Sequence, residues 1–513
     1  MRLGKRCWYP RAMPANEKPP ARLVDNYLTF KEILYYNPNN INILNRGIKM
    51  DFKVITPVFK DKIYNIVDFG AKSESNFNNR EAIQNAIDTC SKNGGGKVLI
   101  PNGFYLTGPI ELKDNVNLEL ANNAYVKFTK SKEEYPLAFV EYEGIVRIRA
   151  KSPISAKNCT NIAITGSGIM DGSGDLWRGI KQFKLTSKQW DRRLKQSQYV
   201  IEGKEGGIWC PTKTYYDGVL KGEPDYNDPD VLIKAAENYD VYRPVFVSLV
   251  KCDKVLIKDV TLMNSPAWNV HPLYCTNFTM DSATIKNPAY AQNGDGIDLE
   301  SCQNCEIKDT VFAVGDDGIC IKSGKNRKAR EIKIPTKNVW IHGCKVFNAH
   351  GGFVVGSEMS RGVENILVED CIFAGTDIGV RFKSAIGRGG VVSDITIRNI
   401  IMTDIIEEAF IFTMGYVLVN IEDENEGKVT VEADDIPEFK NIHMENISCD
   451  SAKTAIKING LKELPIHDLT FKNVTVKATN GLNLSLCKNI RLINTKIETP
   501  TENMIYVDEN VNV

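Results

Sequence analysis

The sequence predicts an all-β chain wound as a parallel β-helix, a solenoid whose coils are built from short strands. Three observations lead there. First, a phrase of Asn or Asp followed by alternating apolar residues recurs, as in Asn161-Ile-Ala-Ile164, Asn277-Phe-Thr-Met280 and Asn304-Cys-Glu-Ile307, with Lys254-Val-Leu-Ile257 a variant. It returns at Asn338, Asn365, Asp394, Asn441, Asp468 and Asn489. From 254 onward most steps run 21 to 34 residues, with one of 47, the period of a coil holding several strands. Second, four segments align without a gap on a shared glycine and serine: Asp295–Ser301, Asp317–Ser323, Gly351–Ser357 and Ile378–Ser384. Third, long helical periodicities are missing, and Gly, Asn and Asp mark the turns.

Residues 1–60 show Pro-containing stretches and weak periodicity, and are expected to form an N-terminal extension. The catalytic domain is expected over 61–513. Glu81–Cys90 is apolar at helical spacing through Ala82, Ile83, Ala86 and Ile87, so a helix should cover the open first coil. Gly94–Gly96 stops it, and Lys97–Ile100 begins a strand. The recurrent Asn residues read as an internal ladder at a coil corner, with amides bonded along the axis. Two insertions break the rhythm. One, about 171–245, carries Trp177, Trp190 and Trp209, and a long irregular insertion in a solenoid points to function. The other, Val417 to Glu438, is acidic and reads as a solvated loop.

Composition narrows the function classes. The 513 residues hold 64 Lys plus Arg against 64 Asp plus Glu, so no overall charge favours nucleic acid or an anionic membrane. No run of 18 apolar residues is present, and no membrane span is expected. The 13 cysteines form no regular framework. Cys302 and Cys305 make a CxxC, but no second pair or nearby His completes a zinc set, so buried thiols are expected. The N-terminus lacks the apolar stretch of a signal peptide. Cytoplasmic residence is the direct expectation, and a secreted or periplasmic protein is expected if a leader is missing.

The four aligned segments carry the chemistry. Side chains alternate faces along a strand. Ile297, Ile319, Phe353 and Val380 form one apolar column, and Leu299, Ile321, Val355 and Phe382 another. The alternate columns are Asp298, Cys320, Val354 and Arg381, then Glu300, Lys322, Gly356 and Lys383. At the corner before each strand sit Asp295, then Asp316 with Asp317, then His350. Parallel pairing of adjacent coils brings successive members of a column roughly 4.8 Å apart, so these acids, the histidine and Arg381 with Lys383 share one patch. Crowded carboxylates split their proton affinities, which supplies a general acid and a general base for glycoside hydrolysis. Arg381 and Lys383 would hold an anionic substrate group.

Asn293-Gly-Asp-Gly-Ile-Asp298, Gly315-Asp-Asp317, His350-Gly-Gly352 and Arg381-Phe-Lys383 resemble the four signatures of the polygalacturonase family, glycoside hydrolase family 28. The resemblance spans roughly 60 to 500. It implies a right-handed parallel β-helix that hydrolyses α-linked galacturonic acid in pectin with inversion, without metal or other cofactor. By motif, Asp316 is the general acid, Asp295 and Asp317 activate the water, and His350 tunes the acid. Arg381 and Lys383 bind the galacturonate at the cleavage point, and Asp298 and Lys322 are further substrate-binding candidates. Gly294 departs from the family's Thr, and Ala349 from its glycine before His350; loop shape is the expected consequence. Asn264-Ser-Pro-Ala-Trp-Asn-Val-His-Pro272, Gly356-Ser-Glu-Met359 and Arg388-Gly-Gly390 resemble the bacterial exo-acting branch. There, inserted loops wall off one end of the cleft. Trp268 and His271 become candidate pocket walls and Arg388 a carboxylate contact. Gly174–Trp177 through Trp209–Pro211 resembles homologues tied to branched pectin, so rhamnogalacturonan stays open beside homogalacturonan ends. The expected partner is a pectic polysaccharide or oligogalacturonide, and the expected state a monomer. A pectate lyase on the same fold and a non-catalytic glycan-binding β-helix are the alternatives.

Overall fold

The computed structural model describes residues 52–203, 206–416, 431–500 and 506–507. Most of the expected N-terminal extension, and residues 417–430 of the acidic segment, lie outside them. The chain forms a parallel β-helix of two long sheets with 22 and 12 strands. A typical coil has three short strands, as in Asp253–Lys258, Thr261–Met263 and Val270–Leu273. Towards the C-terminus the first two fuse into single bent strands such as Glu438–Cys449 and Ile466–Lys477.

The 12-stranded sheet carries the site. In it Ile297–Glu300, Ile319–Lys322, Gly351–Gly356, Ile378–Lys383 and Glu408–Thr413 lie side by side. Its register is the one read from the aligned segments: Ile297 pairs with Ile319, Ile319 with Phe353, and Phe353 with Val380. Leu299, Ile321, Val355 and Phe382 form the second inward column. A one-residue slip would turn every apolar side chain outward, so alternation alone pins this register. Phe382 stacks on Phe412 at 4.8 Å between ring centres and meets Phe353 edge-on. Truncating one such buried ring to alanine costs about 3–5 kcal/mol.

The helix Arg80–Lys92 buries Ala82, Ile83, Ala86, Ile87 and Cys90 over the first coil, as expected. It hides the apolar end of the stack from water. The asparagine ladder also forms: Asn365 Nδ2 donates to Asn338 Oδ1 at 2.7 Å, and Asn338 Nδ2 to Asn304 Oδ1 at 2.9 Å. It is not internal, however. Its members are half-buried or exposed and hold positive φ, the conformation that asparagine tolerates at a tight corner. A second ladder, unforeseen, runs through Asn399, Asn446, Asn473 and Asn494.

Two inserted pieces stand against the site sheet. The insertion forms a small lobe rather than irregular chain, with helices Ser187–Leu194, Lys213–Lys221 and Val231–Ala236. Three short antiparallel strands, Ile180–Lys181, Val200–Ile201 and Ile208–Trp209, complete it. Ile180, Trp190 and Trp209 make its own core. The other piece is an antiparallel hairpin, Leu137–Tyr142 with Ile145–Ala150, which the sequence reading missed. Its turn, Glu143-Gly144, has φ of 55° and 70°, the two-residue geometry that suits a twisted hairpin. The two pieces pack together through Ile148, Val231, Ala235 and Tyr242. In the acidic segment the solvated-loop expectation fails at Asp435. That side chain is fully buried and bonded to Arg327 and to Arg330.

Candidate active site

Asp295, Asp316 and Asp317 meet at the corner that precedes the site strands, and one carboxylate oxygen of each lies within 4.8 Å of the others. Backbone pairing places them: Gly296 N–H donates to Asp317 O at 2.9 Å, and His350 N–H to Asp316 O at 2.9 Å. Successive coils thus stack acid, acid pair and histidine along the axis. Gly294 allows the tight loop before Asp295, since a Cβ there would sit 2.7 Å from Ala291 Cβ. That closeness explains the departure from Thr. Ala349 is buried, and its carbonyl accepts the Asp377 N–H at 2.9 Å.

The three carboxyls differ sharply. Asp317 is buried, receives Lys383 Nζ at 2.7 Å and has Arg381 Nη1 at 3.8 Å. Burial alone would raise its pKa, but the charges of Lys383, Arg381 and His350 outweigh that and hold it well below the carboxylate range. Burial likewise works against the Lys383 ammonium, yet Asp317 pushes it up to about 12. Asp295 is raised well above the usual range, first by burial and then by the charges of Asp298, Asp316 and Asp317. Between Asp295 and Asp317 a proton therefore favours Asp295. Asp316 is the least buried of the three, with Oδ2 accepting the Asn293 N–H at 2.9 Å and Oδ1 the Asp317 N–H at 3.1 Å. It faces the opening. The oxygens are close enough to share a proton or a water, and Lys383 and Arg381 already supply the positive charge that a metal would bring.

The other predicted residues fall into two groups. Arg381 belongs with the cluster: it is buried, its Nη1 lies 3.8 Å from Asp317 Oδ1, and its Nε and Nη1 lack a hydrogen-bond partner. The second group is buried beneath a roof. Lys322 Nζ bonds Glu358 Oε2 at 2.8 Å, lies 3.6 Å from Asp298 Oδ1 and sits 4.6 Å from the centre of the Trp268 ring. Trp268 in turn stacks on Tyr142 of the hairpin at 4.3 Å. His271 Nε2 bonds Glu300 Oε2 at 2.8 Å. Arg388 is engaged with Asn326 and lies 3.5 Å from Glu358 Oε1. Lys322, Trp268, His271 and Arg388 are therefore buried within the wall rather than lining an open surface.

The roof is tied down at its tip. Arg361 Nη2 donates to Gly144 O at 2.8 Å, and Lys325 Nζ bonds Glu143 Oε2 at 2.9 Å. A Cβ at Gly144 would meet Gly324 Cα at 2.5 Å, so only glycine fits this landing. The lobe grips the catalytic loops from the other side. Lys184 Nζ donates to Gly315 O at 2.6 Å, and Arg193 is sandwiched between Trp209 and Tyr290. Sequence reasoning also missed Tyr416, whose ring centre lies 5.6 Å from the Arg381 guanidinium and 5.2 Å from Lys383 Nζ. It follows the strand Glu408–Thr413 without a motif to mark it. All twelve cysteines among the described residues, Cys302 and Cys305 included, are free and buried.

The comparisons agree with this geometry. A probable polygalacturonase of Vitis vinifera is 27% identical over 421 residues, covering 80% of this chain and 73% of that protein. The exo-poly-alpha-D-galacturonosidase of Dickeya chrysanthemi is 27% identical over 438 residues, covering 83% and 69%. Among solved structures, the hyperthermoactive exopolygalacturonase from Thermotoga maritima superposes with a TM-score of 0.71 at 28% identity, over 87% of this chain and 94% of that one. The family 28 exopolygalacturonase of Yersinia enterocolitica gives 0.71 at 25%, over 88% and 78%. These neighbours are right-handed parallel β-helices, the hand expected here. The model of glycosyl hydrolases family 28 matches residues 231–499, more than half of the chain and the whole of the carboxylate cluster, and the chain belongs to that family of polygalacturonases.

Proposed function

We propose that this chain is an exo-acting galacturonohydrolase that removes terminal galacturonate from a pectic chain with inversion. The observation that carries the exo mode is the roof. On one side of the cluster Asp298, Glu300, His271 and Lys322 are sealed beneath Trp268 and the hairpin. A polymer cannot run through, so only its end fits. Both exo- and endo-acting relatives exist, and the roof is what supports the exo reading.

In this reading Asp316, the carboxyl facing the opening, protonates the leaving oxygen. Asp317, kept ionised by Lys383 and Arg381, takes a proton from the attacking water, and Asp295 holds the same water. Oxygens within 4.8 Å let one water touch two of them at about 2.8 Å each. The proton favoured on Asp295 reaches Asp316 through that bridge. By the common two-carboxylate rule, spacing below about 6.5 Å goes with retention. The ion pairs that occupy Asp317 weaken it as a nucleophile, and for that reason we favour inversion. Arg381 supplies positive charge for the sugar carboxylate, and His350 adds to the charge beside Asp317.

Digestion of polygalacturonate, and separately of rhamnogalacturonan, with chelator present tests this. Monogalacturonate alone from the first time point, born as the β-anomer by NMR, is expected. An α-anomer overturns inversion, a ladder of oligomers overturns the exo mode, and an unsaturated product overturns hydrolysis.

A further inference from the structure

The open edge of the site holds a pair that the four signatures do not include. His350 Nδ1 meets Asp377 Oδ2 at 2.6 Å, a charge-assisted distance. Asp377 stands one coil further along the same row as Asp316 and His350. Its backbone is pinned on both sides: its N–H donates to Ala349 O at 2.9 Å, and its carbonyl accepts the Glu407 N–H at 2.7 Å. The carboxylate is therefore presented by fixed chain. Both partners are more than a third exposed, so as a surface ion pair their contribution to stability is small. Orientation is another matter.

An imidazole has two nitrogens, and the partner of one decides what the other offers. We propose that Asp377 is a positioning residue for the reaction. It accepts the Nδ1–H of His350, fixes the orientation of the ring, and so decides what Nε2 offers. The proposal rests on the hydrolase reading of this site. The groups that face His350 are consistent with it. From the preceding coil come Asp316, whose carbonyl accepts the His350 N–H, and Asp317, whose carboxyl responds to the His350 charge. From the following coil come Asp377 itself and, beyond it, Glu407, whose charge is matched by Lys453 at 2.6 Å. Arg381 and Lys383 both pair with Asp317. The Asp316 carboxylate takes backbone N–H groups, so among these described groups Asp377 is the carboxylate that hydrogen-bonds the His350 ring.

The chain has five histidines, so imidazole NMR of the full-length protein is tractable, with His350→Ala assigning the signal. In Asp377→Asn the Nδ1–H form of His350 is expected to lose its dominance in the ring nitrogen signals. kcat should fall about ten- to hundredfold with KM changed less than about threefold, the scale seen when a carboxylate behind a functional histidine is removed. Asp377→Glu should restore part of the rate. In a His350→Ala background Asp377→Asn should add no further loss. An unmoved tautomer, or a full additional loss in that background, overturns the proposal. A shifted tautomer in a protein that cleaves no pectic glycan overturns the catalytic reading while the pair itself stands.

Discussion

One continuous sheet presents two different outer faces. Over its earlier strands His271, Asp298, Glu300 and Lys322 point away from the bore and are nevertheless buried. Over its later strands Thr413, Lys457, Asn459, Asn483 and Ser485 occupy equivalent positions and reach solvent. The coils are alike; what differs is inserted chain. The hairpin and the lobe roof the first half and leave the second open, and the carboxylate cluster sits at the boundary. On the proposed reading the coils supply the chemistry, and the insertions set which part of a polymer can reach it.

The largest effect is expected at the boundary. Asp316→Asn should lower kcat by roughly 10²–10⁴, the contribution of a general acid, with the melting temperature little changed. An unchanged initial rate on an oligogalacturonide would remove Asp316 from the acid role.

Next, Gly144→Val strikes the landing of the hairpin on Gly324 and Arg361. Overpacking there should cost about 1–3 kcal/mol and, by lifting the roof, let oligomers join monogalacturonate among the products. A destabilised variant that still released only the monomer would separate the roof from the exo mode.

Two lysines sharpen the contrast between halves. Lys322 is buried between Glu358 and Asp298, and Lys322→Met should cost about 3–5 kcal/mol by leaving charge uncompensated. Lys457 pairs with Glu408 at 3.0 Å on the open half, and Lys457→Met should cost at most about 1 kcal/mol. Urea midpoints of both variants check this; equal losses would mean the two faces are equally solvated.

The smallest effect concerns pH. Asp295 has a raised folded-state pKa, so its stabilising contribution is complete below the unfolded value near 4 and is lost as pH rises through the folded value. Asp295→Asn is therefore expected to melt above the wild type at pH 7, with the gap closing near pH 4, even as activity disappears. Asp317 is depressed, so its contribution is present above about pH 4 and is lost as pH falls towards its folded pKa. Asp317→Asn should melt lower at pH 7. The opposite order of the two variants would contradict the assignment of the proton to Asp295.

The site sheet was legible because a period of two leaves no freedom. Once Gly318, Gly352 and Gly379 align, every column follows, and Asp295, Asp317, Arg381 and Lys383 fall into one patch. The roof was not legible for the converse reason. Gly144 meets Arg361 across 217 residues, and nothing in the local pattern of Leu137–Ala150 announces where the hairpin will land. Trp268 and His271 read as candidate pocket walls, but both pack against Tyr142, which only the folded hairpin brings. Asp377 was hidden in plain sequence, since a single acid before a strand carries no periodic signal until His350 is placed beside it. Asp435 was misread because a run of acids looks solvated until Arg327 and Arg330, 108 and 105 residues earlier in the chain, are seen to claim one of them.

The central claim is that the roof admits a chain end and nothing else. Hexagalacturonate labelled at its reducing end tests it most directly, sampled within the first few per cent of conversion. The roof predicts a single cut, giving one monomer and one pentamer, with the label in only one of them. Dimers, trimers and tetramers appearing together at that stage would mean that the chain lies across an open cleft, and would contradict the account.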